Sequence, residues 1–143
     1  MTALSEHFTL EELAFSETAA RHNISNRPDA ETVARLRETA SGLERVRALL
    51  NAPIRVSSGY RAPAVNAIVG GASNSAHLKG WAADFTSTFG DPLAVCRAIA
   101  ASDLVFDQLI YEFGAWTHLS FDPRGRRQVL TVNHAGTTEG LHP

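Results

Sequence analysis

The chain reads as an α+β domain: a small, mainly antiparallel sheet flanked by N-terminal and crossover helices. Three observations predict it. Apolar residues recur near the helical period at Val33, Leu36, Leu43, Val46 and Leu50, as a helix with one buried face requires. Two runs, Phe106 to Glu112 and Trp116 to Phe121, alternate with the period of two that marks a half-buried strand, and the short turn Phe113-Gly-Ala115 joins them. The 143 residues, 44% of them hydrophobic, suffice for one domain with a genuine core and leave too little chain for two.

The elements follow from local signals. Thr9-Leu-Glu-Glu12 is a capping-box pattern that opens a helix to about Phe15. Ser16 caps a further turn through Arg21, and Asn23 to Pro28 is a loop by its Asn, Ser and Pro content. Asp29 caps the longest helix, Ala30 to about Leu50, whose Arg and Glu residues form a solvated face and within which Gly42 is a modest weakness. Asn51-Ala-Pro53 ends it. Ile54-Arg-Val56 begins a strand leading into Ser57-Ser-Gly-Tyr-Arg61, and a short helix runs from Pro63 to about Val69, where Gly70-Gly71 stops it. Ala72 to Lys79 is a loop of small and polar residues, the kind of segment that carries function on a rigid scaffold. The alternation of Trp81, Ala83 and Phe85 with Ala82, Asp84 and Thr86 makes a strand to about Ser87. Asp91-Pro92 then opens a helix to about Ala101 that buries Leu93, Cys96 and Ile99. After the hairpin, Gln128 to Val132 adds an edge strand, and Asn133 to Pro143 is expected to be a loose tail.

Composition removes several classes of function. A formal net charge of −2 argues against a nucleic-acid or anionic-membrane partner, which needs a basic bias. With Cys96 as the only cysteine, no internal disulfide forms, so the fold rests on packing, with or without a metal. The opening Met-Thr-Ala-Leu-Ser-Glu-His-Phe-Thr has neither the basic nor the apolar region of a secretory leader, and no apolar run is long enough to span a bilayer. The expectation is a product made in the cytoplasm without membrane insertion, which another agent must deliver to any substrate outside.

The chemistry starts from His77 and Asp84 on either side of Gly80. Zinc accepts neutral His nitrogen and Asp oxygen, and a catalytic zinc takes three protein groups and leaves the fourth position to water. Gly80 lets the chain turn, and the strand after it aims Asp84 at one face. The hairpin offers the missing ligand. Gln108, Ile110 and Glu112 share one face of its first arm, and Trp116, His118 and Ser120 one face of its second; if these faces coincide, Glu112 lies beside His118. His118 is then the natural third ligand, and Glu112 a carboxylate able to take a proton from a metal-activated water. Upstream, Arg61 is a positive fork suited to a substrate carboxylate or to the oxyanion of a tetrahedral intermediate. His7, His22, His134 and His142 have no partners at ligand spacing and read as exposed or capping residues. Cys96 reads as core, Tyr60 and Trp81 as packing beside the site, Trp116 as either a groove wall or a buried aromatic, and Asp107 and Asp122 as spare acids facing solvent.

Together, Ser58-Gly-Tyr-Arg61, Asn66, Gly70-Gly71, Ser75-x-His77-x-x-Gly80-x-Ala82-x-Asp84 and Trp116-x-His118, after the opening Phe8-Thr-Leu-x-Glu-Leu13, resemble the zinc D-alanyl-D-alanine peptidase family. That family includes bacterial carboxypeptidases, phage endolysins that cut the L-Ala–D-Glu link of peptidoglycan and, more distantly, the hedgehog signalling domain. The resemblance implies one zinc peptidase domain over residues 1–143, with Zn2+ on His77, Asp84 and His118, the base role on Glu112, and substrate or transition-state contact through Arg61. Ser75 would be a hydrogen bonder either on the substrate side or behind the ligands, with Gln108 and Trp116 on the wall of the cleft. The implied partner is the stem peptide of peptidoglycan, cut by a monomer of the phage endolysin type after holin-type release to the cell wall, or else trimmed by a D-Ala-D-Ala carboxypeptidase. Hedgehog-like relatives imply the alternative, a zinc-stabilised binding domain without turnover. The chain departs from the pattern at two places. Trp116 stands where some members have a second histidine, and Ala115 where others have the acid, so the base role falls to Glu112 as in relatives with the longer spacing.

Overall fold

Thr9 and Glu12 close the expected capping box in the computed structural model, which describes residues 1–143: Thr9 Oγ1 accepts from the Glu12 N–H at 3.2 Å and Glu12 Oε1 from the Thr9 N–H at 3.4 Å. This starts α1, Leu10–Ala14, and Ser16 caps α2, Glu17–Arg21, in the same way. Asp29 Oδ1 accepts from the Thr32 N–H at 2.8 Å and opens α3, Ala30–Leu50, which Asn51 ends in the left-handed conformation. The buried stripe of α3 is Thr32, Leu36, Thr39, Ala40, Leu43, Val46 and Leu50, so Val33 lies at its margin, half-buried. Gly42 is not the weak point that propensity suggests. It is buried, and a Cβ there would overlap the Phe121 ring, so the missing side chain lets the chain leaving the hairpin cross close to the helix.

Six strands form one sheet in the order β1-β2-β4-β3-β5-β6: Ile54–Ser58, Ala82–Ser87, Trp116–Ser120, Gln108–Glu112, Gln128–Asn133 and Gly136–Glu139. All pairings are antiparallel except β3 with β5. Between β1 and β2 the chain makes α4, Pro63–Ile68, and a 3-10 turn, Ala76–Lys79, where a plain loop was expected. From β2 to β3 it passes through α5, Pro92–Ala100, capped by Asp91 and buried at Val95, Cys96 and Ile99, with Leu93 only half-covered.

Alternation divides the sheet into two faces. Ala83, Phe85, Leu109, Leu119 and Thr117 are fully buried, and the apolar ones join Leu36, Leu43, Val46, Val95 and Ile99 of the helices in one cluster. Each large side chain fully covered there contributes about 1.5–3 kcal/mol. Burial pushes the Cys96 thiol up to about 11, against a bond to Thr117 Oγ1, so this cysteine is inert core. No helix is long and apolar enough to cross a membrane.

Three sequence expectations give way. β5 is not the edge but lies between β3 and β6. The residues expected as a loose tail turn back at Gly136, φ +125°, and pair Gly136–Glu139 with β5, because the outer edge of β5 offers unpaired backbone groups. Thr131 Oγ1 donates to the Gly140 carbonyl at 2.8 Å and accepts from the His142 N–H at 3.0 Å, fixing the end of that hairpin. Asp107 does not face solvent either: it is 1% exposed and accepts from Arg126 Nε at 2.8 Å, Arg126 Nη2 at 3.0 Å and Arg124 Nη2 at 3.2 Å. The Arg126 bonds hold its carboxyl below the usual range and tie the β4–β5 connection to the start of β3. Asp122 is half-buried and pairs with Arg124 at 3.3 Å, and His7 lies 2.7 Å from Glu44 of α3.

Candidate metal centre

The 3-10 turn exists to present His77. Ser75 Oγ accepts from the His77 N–H at 3.2 Å, and Gly80 ends the turn at φ +85°, a conformation that favours glycine. Thr39 of α3 donates to the Gly80 carbonyl at 2.6 Å and so fixes the turn to the core helix. His77 Nδ1 lies 2.7 Å from the Gly59 carbonyl. A carbonyl only accepts, so Nδ1 carries the proton and the Nε2 lone pair is free.

Asp84 on β2 stands opposite His118 on β4, which brings both side chains to the face away from the helices. Asp84 Oδ1 is 3.3 Å from His77 Nε2 and 2.9 Å from His118 Nδ1, and one ligand atom from each of the three residues lies within 4.8 Å of the others. A tetrahedral ion with arms of about 2.0–2.1 Å has edges of roughly 3.3 Å, so two nitrogens and a carboxylate oxygen at these separations fit a divalent metal. The two imidazoles meet edge to face at 5.0 Å. Burial alone would raise the Asp84 pKa, but His77 and His118 together outweigh it and hold the carboxyl well below the usual range, ready to ligate.

Glu112 Oε1 is 3.5 Å from His118 Nδ1, because the hairpin register sets Glu112 opposite Trp116, two pairs along from Ile110–His118 and so on the same face. Its pKa is raised, first by burial and then by the Asp84 charge; His118, Arg61 and the Trp116 indole offset part of that rise. Arg61 reaches the same corner. Its Nη2 donates to Ser75 Oγ at 3.3 Å, its Nε is buried without a partner, and burial lowers its pKa against the pull of Asp84 and Glu112. Ser75 thus links Arg61 to the His77 backbone. Trp116 is half-buried, its Nε1 has no hydrogen bond of good geometry, and its ring lies 5.6 Å from Phe113. Gln108 sits farther along the same face, where its Nε2 donates to Gln128 Oε1 at 2.7 Å.

Two positioning groups escaped the sequence reading. The Gly59 carbonyl orients His77, and a backbone group has no side-chain signature. Asn26 clamps the segment around Arg61: its Nδ2 donates to the Ala14 and Tyr60 carbonyls at 2.8 and 2.9 Å, and its Oδ1 accepts from the Ala62 N–H at 2.7 Å. Nothing but an asparagine in a polar loop marked it.

A sequence model of the family described as Peptidase M15 matches residues 6–120, a span that contains the three candidate ligands together with Arg61, Ser75, Glu112 and Trp116. No curated protein matches the chain.

Proposed function

This chain belongs to the peptidase M15 family, and from that premise we propose that it is a zinc peptidase that hydrolyses the stem peptide of bacterial peptidoglycan. The observation that carries the reading is a single corner of the structure. His77, Asp84 and His118 converge there, and Glu112 stands 3.5 Å from His118. Zinc held by the three ligands would acidify a water to about neutral pH and polarise the peptide carbonyl.

The chain's own groups do the rest. Glu112, with its raised pKa, accepts the proton of the attacking water and delivers it to the departing amine. Arg61, with an unpaired buried Nε, donates to the carbonyl oxygen as negative charge develops. The His77 Nδ1–H bond to Gly59 keeps the ring aimed.

The face beyond the ligands continues over half-exposed Ile110 and Leu130. That opening supports an endopeptidase of the L-Ala–D-Glu type over a D-Ala-D-Ala carboxypeptidase, which needs its substrate to end at the metal; a peptidase of this substrate acts at the bacterial cell wall. A zinc-stabilised binding domain without turnover is the rival, and it has no use for an acid at the open corner.

Mass analysis of muropeptides from purified peptidoglycan treated with the zinc-loaded protein tests the reading. The expected products carry new ends at L-Ala and D-Glu, and release of terminal D-Ala instead moves the reading to the carboxypeptidase. Cleavage that survives complete zinc removal rejects the metal mechanism. Failure on every wall type supports the rival.

A further inference from the structure

The row of side chains that holds the metal ligands runs on across the sheet. In register, Asp84 faces His118, His118 faces Ile110, Ile110 faces Leu130 and Leu130 faces Glu139. With strands about 4.7–4.9 Å apart, Ile110 lies one strand and Leu130 two strands beyond the last ligand, on the ligands' own face. Both are half-buried, and neither joins the apolar cluster between the sheet and the helices. Val132, two residues along β5, has the same standing. Two parallel rows flank this one at about 7 Å. Glu112, Trp116 and Val132 form the first, and Ser120, Gln108 and Gln128 the second.

The glutamine row has a particular chemistry. The bond from Gln108 Nε2 to Gln128 Oε1 uses one donor and one acceptor, which leaves the Gln108 carbonyl oxygen and the Gln128 amide hydrogens to serve another molecule. A free acceptor beside a free donor matches the backbone of an extended peptide. The registered positions beyond His118 carry no basic side chain, and their only acids are Glu112 at the catalytic margin and Glu139 at the far end. The strip therefore fits a stretch of peptide backbone with a small apolar side chain rather than a phosphate.

We propose that Ile110, Leu130 and the Gln108–Gln128 amide pair form a specificity subsite that holds the substrate's peptide chain beyond the scissile bond, with a small apolar side chain over Ile110 and Leu130 and a backbone amide at the glutamines. The inference rests on the peptidase reading above, and its test separates the two. Leu130→Ser and Gln128→Ala change half-exposed positions outside the core; Val105→Ser, at a residue 68% exposed and outside the sheet, is the control.

With a synthetic stem peptide beginning L-Ala–D-Glu, each subsite variant is expected to raise KM and lower kcat/KM about tenfold at unchanged zinc stoichiometry, as loss of one covered side chain or hydrogen bond implies. The control is expected to match the parent. Equal kcat/KM in all four proteins overturns the subsite and leaves the peptidase reading standing. The second arm needs no turnover: zinc-loaded Glu112→Gln is titrated with the same peptide and followed by methyl NMR. Shifts at the Ile110 and Leu130 methyls support the subsite even where the parent fails to cleave, and their absence at saturating peptide overturns it.

Discussion

On β2, β3 and β4, neighbouring residues have opposite duties. Phe85, Leu109 and Leu119 are fully buried against the helices, while Asp84, Ile110 and His118 beside them in sequence lie on the face of the candidate metal centre. The first face gains stability by leaving water. The second gathers groups that resist leaving it: burial raises the Glu112 pKa, lowers that of Arg61 and opposes the ionised Asp84 until two imidazoles reverse the balance. The difference teaches that a period of two lets one strand serve both duties, since packing on one face holds in place charged groups that would not gather unaided.

Substitutions that act on one face only will sharpen this contrast or break it. Glu112→Gln is expected to lower kcat by about 10²–10⁴. It should leave the denaturant midpoint unchanged or higher, since it removes a carboxylate whose charge burial disfavours. Paired kinetics and urea titration read both effects, and a drop in stability would show that the faces are not separable. Phe85→Ala is the mirror case: about 3–5 kcal/mol of stability lost, with activity per folded molecule retained.

Asp107→Asn lies on neither face and tests the tether of the β4–β5 connection. Its hydrogen bonds to Arg126 keep the folded carboxyl below its unfolded pKa of about 3.9, so its contribution is present above that pH and fades as pH falls through the lower folded value. The variant should cost about 1.5–3 kcal/mol at pH 7, and the gap from the parent should narrow as pH falls below about 4. A gap independent of pH would mean that the carboxylate charge does not hold the loop. Gly42→Ala is expected to cost about 1–3 kcal/mol through the Phe121 ring. A gain instead, as helix propensity alone would give, would show that the ring swings away freely.

Much of this was legible locally. Caps at Thr9, Ser16, Asp29 and Asp91 mark helix starts because each satisfies an amide within its own first turn. The hairpin's alternation likewise assigns Glu112 to one face of its first arm and His118 to one face of its second, and the register makes those faces one. Gly42, Asp107 and Asn26 were misjudged or missed for one shared reason: their partners Phe121, Arg126 and Tyr60 lie far along the chain, and no local pattern names them.

By itself the sequence determined the order of elements and the α+β class and named three candidate metal ligands and an acid to go with them, since turn chemistry, periodicity and ligand type are properties of adjacent residues. Only the tertiary structure decided that β5 runs parallel to β3, that the last residues fold back as β6, and that Ile110, Leu130 and the Gln108–Gln128 pair extend the ligands' face. Strand alternation fixes which way a side chain points, but which strand lies next to it is a long-range choice made by the packing of the whole sheet.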